Sequence, residues 1–375
     1  MLKDIFINQA LQQNDACFID LRSEGEFAEG SIPGAINIPL FTNEERAKVG
    51  IVYKQVGTEA AKRLGLEIAS PKLPALYDDI SKLAKDKTVF LYCWRGGMRS
   101  KYAASILNTL GINLYRIQGG YKAYRKHIHA YLDQDLIPHK CIVLHGLTGV
   151  GKTIVLNNLN RFGIPVLDLE SIACHRGSAY GKIGLPESPS QKDFESSIVQ
   201  TLIRAEDKGM VAVECESRRV GKLIVPTSVF NAMSQGYRVL MYASIEKRVQ
   251  RIIDEYTKGP DNNIEMLKLS TALLKKSLGN KTVEELNQKI DERKFEEVIP
   301  YLLTKYYDPL YKYPDSPNDE YDLSVDCDDL NEATGIIANW VTSLPEYGIP
   351  AKIGGDDGGS RGSFKERKKR KGLLV

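Results

Sequence analysis

The eight residues GLTGVGKT, positions 146–153, constrain the fold of this chain more than any other stretch. They satisfy the spacing G-x-x-x-x-G-K-[ST] and lie between an apolar run, CIVLH, and a helical run, TIVLNNLNRFG. A Gly-rich turn between a buried strand and a helix gathers backbone N–H groups where they favour an anion. Gly146, Gly149 and Gly151 shape the turn, and the amides from Thr148 to Thr153 are placed to cradle phosphate oxygens. Lys152 then reaches the terminal phosphates as a point charge, and the Thr153 hydroxyl is available to Mg²⁺. A chance Gly-rich turn fits neither the full motif nor its strand–helix context.

Other apolar runs supply the surrounding sheet. IPVLDLE (164–170), GMVAVEC (209–215) and YRVLMYA (237–243) read as parallel strands separated by helical stretches. An earlier series, CFIDL (17–21), TVFLY (88–92) and NLYRI (113–117), alternates with helical patterns at 77–86 and 100–111. Both series predict α/β architecture with parallel sheets. At 375 residues, two domains are expected. The division reads as a first domain over 1–125, a Pro-marked linker over 126–139, and a phosphate-loop domain over 140–345. Beyond about residue 260 that second domain is mostly helical in pattern. Residues 346–375 read as a Gly-rich and then basic tail, disordered on its own.

Composition narrows the function classes. A formal net charge of +3 is too small to single out a polyanionic partner. The six cysteines are scattered, with no CxxC pair, which argues against a disulfide framework and against a structural metal site, and for a reducing compartment. The start, MLKDIFINQALQQND, lacks the apolar core of a signal peptide. No apolar run approaches the roughly 18 residues of a membrane span. A cytoplasmic location with no membrane partner is the expectation, and no tightly bound cofactor is called for.

A second loop raises its own question. LYCWRGGMRS (91–100) puts a thiol at the end of an apolar run, followed by two glycines and two arginines. A thiol becomes a nucleophile when its thiolate is stabilised. Here Cys93 follows a strand and precedes a helix. Trp94, Arg95, Gly96, Gly97, Met98 and Arg99 form a tight turn whose N–H groups and arginine charges suit a thiolate, a persulfide or selenide, or a bound oxyanion. Cys17, Cys141, Cys215 and Cys327 read instead as small buried hydrophobes.

Two acidic pairs compete for a Mg²⁺ role beside the phosphate loop. Asp168 and Glu170 end VLDLE; Glu214 and Glu216 end VAVECES. Either pair reads equally as a solvated strand end. Arg248 and Arg251, three apart on one helix face, read as a phosphate clamp or as surface residues, with the second slightly favoured. Arg218 and Arg219 stand just past a strand end, where ligand sites of α/β sheets collect. Aromatics in KYYDPLYKYP (305–314) suit either base stacking or helix packing, and the KERKKRK run suits either an anchor for RNA phosphates or a solvated tail.

FIDLRSEGEFAEGSIPGAINIPL (18–40), followed by a cysteine loop on a later strand, resembles a rhodanese domain. Rhodaneses carry sulfur as a cysteine persulfide in such a loop, though their usual loop is one residue shorter. The Cys-x5-Arg spacing is also that of dual-specificity and tyrosine phosphatases. A rhodanese-like domain followed by a phosphate loop resembles the bacterial tRNA 2-selenouridine synthases. LFTNEERAKVGIVYKQVG (40–57), YCWRGGMRS (92–100), IQGGYKAYR (117–125), LHGLTGVGKT (144–153), LDLESIACHRGSAYG (167–181) and ECESRRVGK (214–222) carry that match, within residues 1–225.

The resemblance implies a transferase that replaces sulfur by selenium in the wobble 2-thiouridine of tRNA. Selenophosphate is the selenium donor. Geranyl diphosphate first alkylates the sulfur and makes it a leaving group. Cys93 is then the residue of the selenium step, a selenophosphate-supplying enzyme is an implied partner, and the phosphate loop takes the diphosphate, with Mg²⁺ as its companion ion. His175 and Arg176 in HRGSAYGKIG, together with Arg218 and Arg219, would serve the tRNA or prenyl site. Three other readings stand beside it: a P-loop kinase or NTPase with a regulatory rhodanese-like module, a phosphatase fused to a nucleotide-binding domain, and a non-catalytic sulfur-carrier or tRNA-binding scaffold.

Overall fold

A computed structural model describes residues 2–177, 181–257 and 262–351. The chain divides into two compact units. One holds residues up to Tyr131 together with Ser190–Ser197, and the other holds Leu132–Pro189 and the chain from Ile198 onward. Among the described residues no helix is long and apolar enough to cross a membrane.

The first unit is built on strands β1 (Asp4–Ile5), β2 (Ala16–Asp20), β3 (Ile36–Asn37), β4 (Thr88–Tyr92) and β5 (Leu114–Ile117). They form one parallel sheet in the order β1-β5-β4-β2-β3. The central strands carry continuous apolar runs because both faces are covered: Ile19, Val89, Phe90, Leu91 and Leu114 are wholly buried. The helix Met98–Thr109 packs Ala103, Ala104 and Leu107 into that core. The helix Gly120–Leu132 runs through the start of the expected 126–139 linker. Residues Ser190–Ser197 join this unit through hydrogen bonds: Ser31 N–H donates to Asp193 Oδ1 at 2.8 Å, and Arg125 pairs with Glu195.

The second unit contains β6 (Lys140–His145), β7 (Val166–Leu167), β8 (Met210–Glu214), a two-strand antiparallel hairpin of β9 (Arg219–Val220) and β10 (Leu223–Ile224), β11 (Tyr237–Tyr242) and β12 (Leu323–Asp326). Its parallel sheet runs β12-β11-β6-β8-β7. One expectation is corrected here and another is extended. The strand read at 164–170 stops at Leu167, because Asp168 caps the helix Leu169–Ala173 by accepting from Ser171 N–H at 2.8 Å. The region past 260 is mostly helical, as expected, and adds one strand: β12 returns to the sheet edge beside β11. An edge strand of four residues, with only Val325 fully inside, leaves almost no periodic trace.

The helices Ile245–Thr257, Asn262–Ala272, Asn280–Asp291 and Phe295–Leu302 build a separate apolar cluster around Ile252, Leu267, Ile290 and Val298. Within the expected tail, residues 348–351 are tied to the second unit. Gly348 N–H donates to Lys208 O at 3.0 Å, Ala351 N–H donates to Glu206 O at 2.8 Å, and Ala351 is buried. The basic run lies outside the described residues. Cys17 and Cys327 sit in the two sheet cores and Cys141 is fully buried, as read from the sequence.

Candidate functional sites

In the first unit Cys93 follows β4 directly, and Trp94–Gly97 lead into the helix Met98–Thr109. The loop's carbonyls are held from outside. Tyr121 N–H donates to Cys93 O at 2.8 Å and Lys122 N–H to Trp94 O at 2.9 Å. Arg116 Nη1 donates to Gly96 O at 2.8 Å and is itself paired with Asp4 at 2.6 Å. A trans peptide plane points its N–H opposite to its C=O. The N–H groups of Trp94, Arg95 and Gly97 are thereby directed to the inner side of the turn. Gly120 permits this clamp: its φ is +55°, and a Cβ there would stand 2.1 Å from Cys93 O.

The thiol lies at the foot of the loop, 3% exposed, with Sγ 3.3 Å from Ser100 Oγ. A hydroxyl at that distance can donate to a thiolate or to a persulfide sulfur. Sequence reading passed over Ser100, although its place directly after Cys-x5-Arg marks it. The two arginines separate in role. Arg99 forms a bidentate pair with Glu26, at 2.6 and 3.2 Å, so its charge is already balanced. Burial pushes the Glu26 carboxyl up, but Arg99's hydrogen bonds and charge outweigh it and leave it below the usual carboxylate range. Arg95 is exposed and makes no ion pair among the described residues, and Trp94 and Met98 are exposed with it.

In the second unit the phosphate loop joins β6 to the helix Lys152–Arg161. Gly146 turns the chain at φ +152°, and a Cβ there would meet Met241 O at 2.3 Å. Arg248 and Arg251, read as a phosphate clamp or as surface residues, are neither. Arg248 Nε donates to Thr148 O at 2.8 Å, and its other nitrogens hold Asp308 at 3.0 and 2.5 Å. Arg251 Nη1 donates to Val150 O at 3.1 Å, and Nη2 to the carbonyls of Cys327 and Asp328. By the same peptide geometry, the N–H groups of Gly149 and Gly151 are directed away from these arginines, toward the cradle. Lys152 Nζ donates to Gly146 O at 3.0 Å.

Glu170 of one acidic pair joins both members of the other. Glu170, Glu214 and Glu216 each offer a carboxylate oxygen within 4.8 Å of the others. Burial, then the neighbouring Glu214 charge, pushes Glu170 up to about 9 and Glu216 up to about 7. Burial also raises Glu214, opposed by the Lys152 charge and a hydrogen bond from Thr153. Three carboxyls this close cannot all ionise unless positive charge joins them. Glu214 Oε1 is buried and has no hydrogen-bond partner among the described residues. An all-oxygen donor set beside the motif threonine fits a hard divalent cation such as Mg²⁺. Asp168 is displaced from this group by its capping role.

The His-Arg-Gly loop lies against the same cluster. A methyl group on Gly177 would sit 3.0 Å from Glu170 Oε1 and 3.1 Å from Glu216 Oε2. His175 Nδ1 accepts from Gly177 N–H at 3.1 Å, which leaves Nε2 to carry the proton of the neutral ring. Arg176 is tied to Glu255 at 2.6 Å and to Ile183 O at 2.7 Å. Arg218 and Arg219 are exposed beside the β9–β10 hairpin; Arg218 Nη2 reaches Thr227 Oγ1 at 2.8 Å. Residues 178–180 of this motif lie outside the described residues. Sequence reading also passed over His145, buried directly before the loop and in T-shaped contact with the rings of Tyr313 and Tyr321. Burial, then the Arg238 and Lys152 charges, pushes its imidazole down to about 3. The tyrosines of 305–314 pack on one another, Tyr307 on Tyr311 and Tyr311 on Tyr313.

Residues 6–127 match the family model described as "Rhodanese-like domain", and residues 139–332 match the one described as "tRNA 2-selenouridine synthase AAA domain". The second match carries the likeness well past residue 225, through the helices and β12. Curated relatives agree. The chain is 34% identical over 324 residues to the tRNA 2-selenouridine synthase of Hydrogenovibrio crunogenus, covering 79% of this chain and 88% of that one. It is 34% identical over 350 residues to the protein of that name from Pseudomonas putida strain W619, covering 85% and 94%. It is 38% identical over 247 residues to that of Nitrosomonas europaea, covering 64% of each chain. With a phosphate loop and a cysteine loop each built on its own parallel sheet, the chain belongs to the tRNA 2-selenouridine synthase family.

Proposed function

We propose that this protein modifies tRNA in two steps, geranylating wobble 2-thiouridine at the phosphate loop and then exchanging the alkylated sulfur for selenium with Cys93. The observation that carries the reading is the pair of anion cradles in one chain, one ending in a buried thiol and the other in a lysine beside three carboxyls. Relatives named for tRNA selenouridine synthesis support tRNA as substrate.

In the first step the thiouridine sulfur attacks C1 of geranyl diphosphate. An S–C1 bond forms, the C1–O bond breaks with its electron pair leaving on diphosphate, and the N3 proton of the base is released. Lys152 and the loop amides stabilise the departing diphosphate, where charge develops. A divalent cation held by Glu214 and its neighbours would add its positive charge there. In the second step selenium of selenophosphate attacks C2 and the C2–S bond breaks, with the Cys93 thiol giving its proton to the departing sulfur, so that geranyl thiol leaves and a thiolate remains beside Ser100 Oγ. Water then cleaves the Se–P bond and phosphate leaves. The N–H groups of Trp94, Arg95 and Gly97 line the turn that takes the tetrahedral oxyanion, and exposed Arg95 offers it a cation.

Nucleoside mass spectrometry of 2-thiouridine tRNA incubated with enzyme, geranyl diphosphate, selenophosphate and Mg²⁺ tests the division. Cys93→Ala accumulates the geranylated nucleoside. Lys152→Ala fails to geranylate yet still selenates pre-geranylated tRNA. Geranylation at wild-type rate in Lys152→Ala sinks the assignment of the phosphate loop.

A further inference from the structure

An apolar slot opens beside the phosphate loop, within the second unit. Its enclosed volume is about 40 Å³, a narrow apolar gap that continues into an open mouth. Its walls come from the four helices of the separate apolar cluster: Ile252, Leu267, Ile290, Phe295 and Val298 are among them. The remaining wall includes Thr148, a residue of the phosphate loop itself.

Slot and loop are in direct contact. A methyl group on Gly149 would lie 2.9 Å from Ile252 Cδ1, so the slot wall touches the loop backbone. Arg248 fastens the two together, holding Thr148 O with one edge and Asp308 with the other. The chain leaves the helix Phe295–Leu302 through Pro300 and a π-helical turn, Leu303–Tyr307, two of whose side chains, Leu303 and Tyr307, also line the slot. Such turns widen a helix and collect at functional sites. A phosphate cradle that shares a residue with an apolar slot is complementary to an amphiphile: an anionic phosphate head with a hydrocarbon tail. The lining is otherwise aliphatic and aromatic hydrocarbon, with only the hydroxyls of Thr148 and Tyr307 on it, so it suits a hydrocarbon chain better than a ribose.

We infer that this slot binds the hydrocarbon tail of the isoprenoid diphosphate whose head sits in the phosphate loop. The inference rests on the proposed diphosphate role of the loop and places the tail in the helical cluster. Each methylene buried there is worth ~0.8 kcal/mol, roughly fourfold in affinity.

Calorimetry on the full-length protein tests it by comparing inorganic diphosphate with geranyl diphosphate, so that the head contribution cancels. Wild type binds geranyl diphosphate at least tenfold more tightly than inorganic diphosphate. Val298→Trp fills the slot and erases that difference while inorganic diphosphate binds as before. Leu267→Ala, which removes wall contact without adding bulk, reduces the difference and stands in if Val298→Trp misfolds. A difference unchanged in both variants overturns the tail site. Inorganic diphosphate binding that survives Lys152→Ala overturns the head assignment instead.

Discussion

The cysteine loop and the phosphate loop meet the same demand with different supports. Both must hold N–H groups toward an anion, and both do so by tying loop carbonyls to donors on the outside. Around Cys93 the clamp is largely backbone, from Tyr121 and Lys122, with Arg116 added. Around Lys152 it is side chain, from Arg248 and Arg251, anchored in turn on Asp308 and on the carbonyls after β12. A backbone clamp has no rotamers to lose and tolerates no displacement. A side-chain clamp reaches across from another element, so it couples its loop to the helical cluster and to the sheet edge.

The sharpest way to break this comparison is Gly120→Ala. The new methyl would meet Cys93 O at 2.1 Å with backbone on both sides, at a φ of +55°. The clamp must open, and an ångström of displacement at a reacting atom costs on the order of 100-fold in rate. Selenation of pre-geranylated tRNA falls by that order, while geranylation by the same preparation stays near wild type. Equal loss of both steps would show that the substitution unfolds the whole chain, and no loss of either would show that the clamp is dispensable.

Next in size is Arg251→Ala, aimed at the side-chain clamp. Hydrogen bonds from a charged donor contribute about 1.5–3 kcal/mol each. Neighbouring Arg248 still holds the loop at Thr148, so the loss is partial. Affinity for inorganic diphosphate drops on the order of 10-fold, and Arg251→Lys recovers part of it, since an ammonium cannot span both carbonyl groups. Titration of inorganic diphosphate into the three proteins reads this out, and identical affinities would mean that the loop holds its shape unaided.

Much of both sites is legible in the sequence because each loop is local. Strand, Gly-rich turn and helix are contiguous, so 91–100 and 146–153 can be read from spacing alone. What joins a loop from a distance cannot be read that way. Arg248 and Arg251 lie a hundred residues from the carbonyls they hold, and their helical spacing fits solvent as well as a clamp. The acidic pairs looked like rivals because each ends its own strand; only the adjacency of β7 and β8 makes Glu170 and Glu216 neighbours. Strand β12 was missed for a related reason: its pairing partner β11 lies over eighty residues upstream. The apolar slot is invisible in sequence, since its residues are also those of an ordinary helical core.

The smallest effect separates the two loops by the sign of their response to pH. Burial first, then the Glu214 charge, pushes Glu170 and Glu216 above their ordinary 4.5, up to about 9 and about 7. Between 4.5 and those values the folded unit holds protons that the unfolded chain has released. Its stability therefore declines as pH climbs through that window. Glu26 behaves oppositely. Held below 4.5 by Arg99 despite its burial, it contributes stability that is present above 4.5 and lost as pH falls through its folded value. Thermal melts of the full chain across pH 4 to 9, without divalent cation, should show Glu170→Gln flattening the alkaline decline and Glu26→Gln flattening the acid one, each by a few degrees. Mg²⁺ should mimic Glu170→Gln at alkaline pH by compensating the ionised cluster. An alkaline decline that persists in Glu170→Gln and ignores Mg²⁺ would place its origin elsewhere, and would remove the argument that these carboxyls wait for a cation.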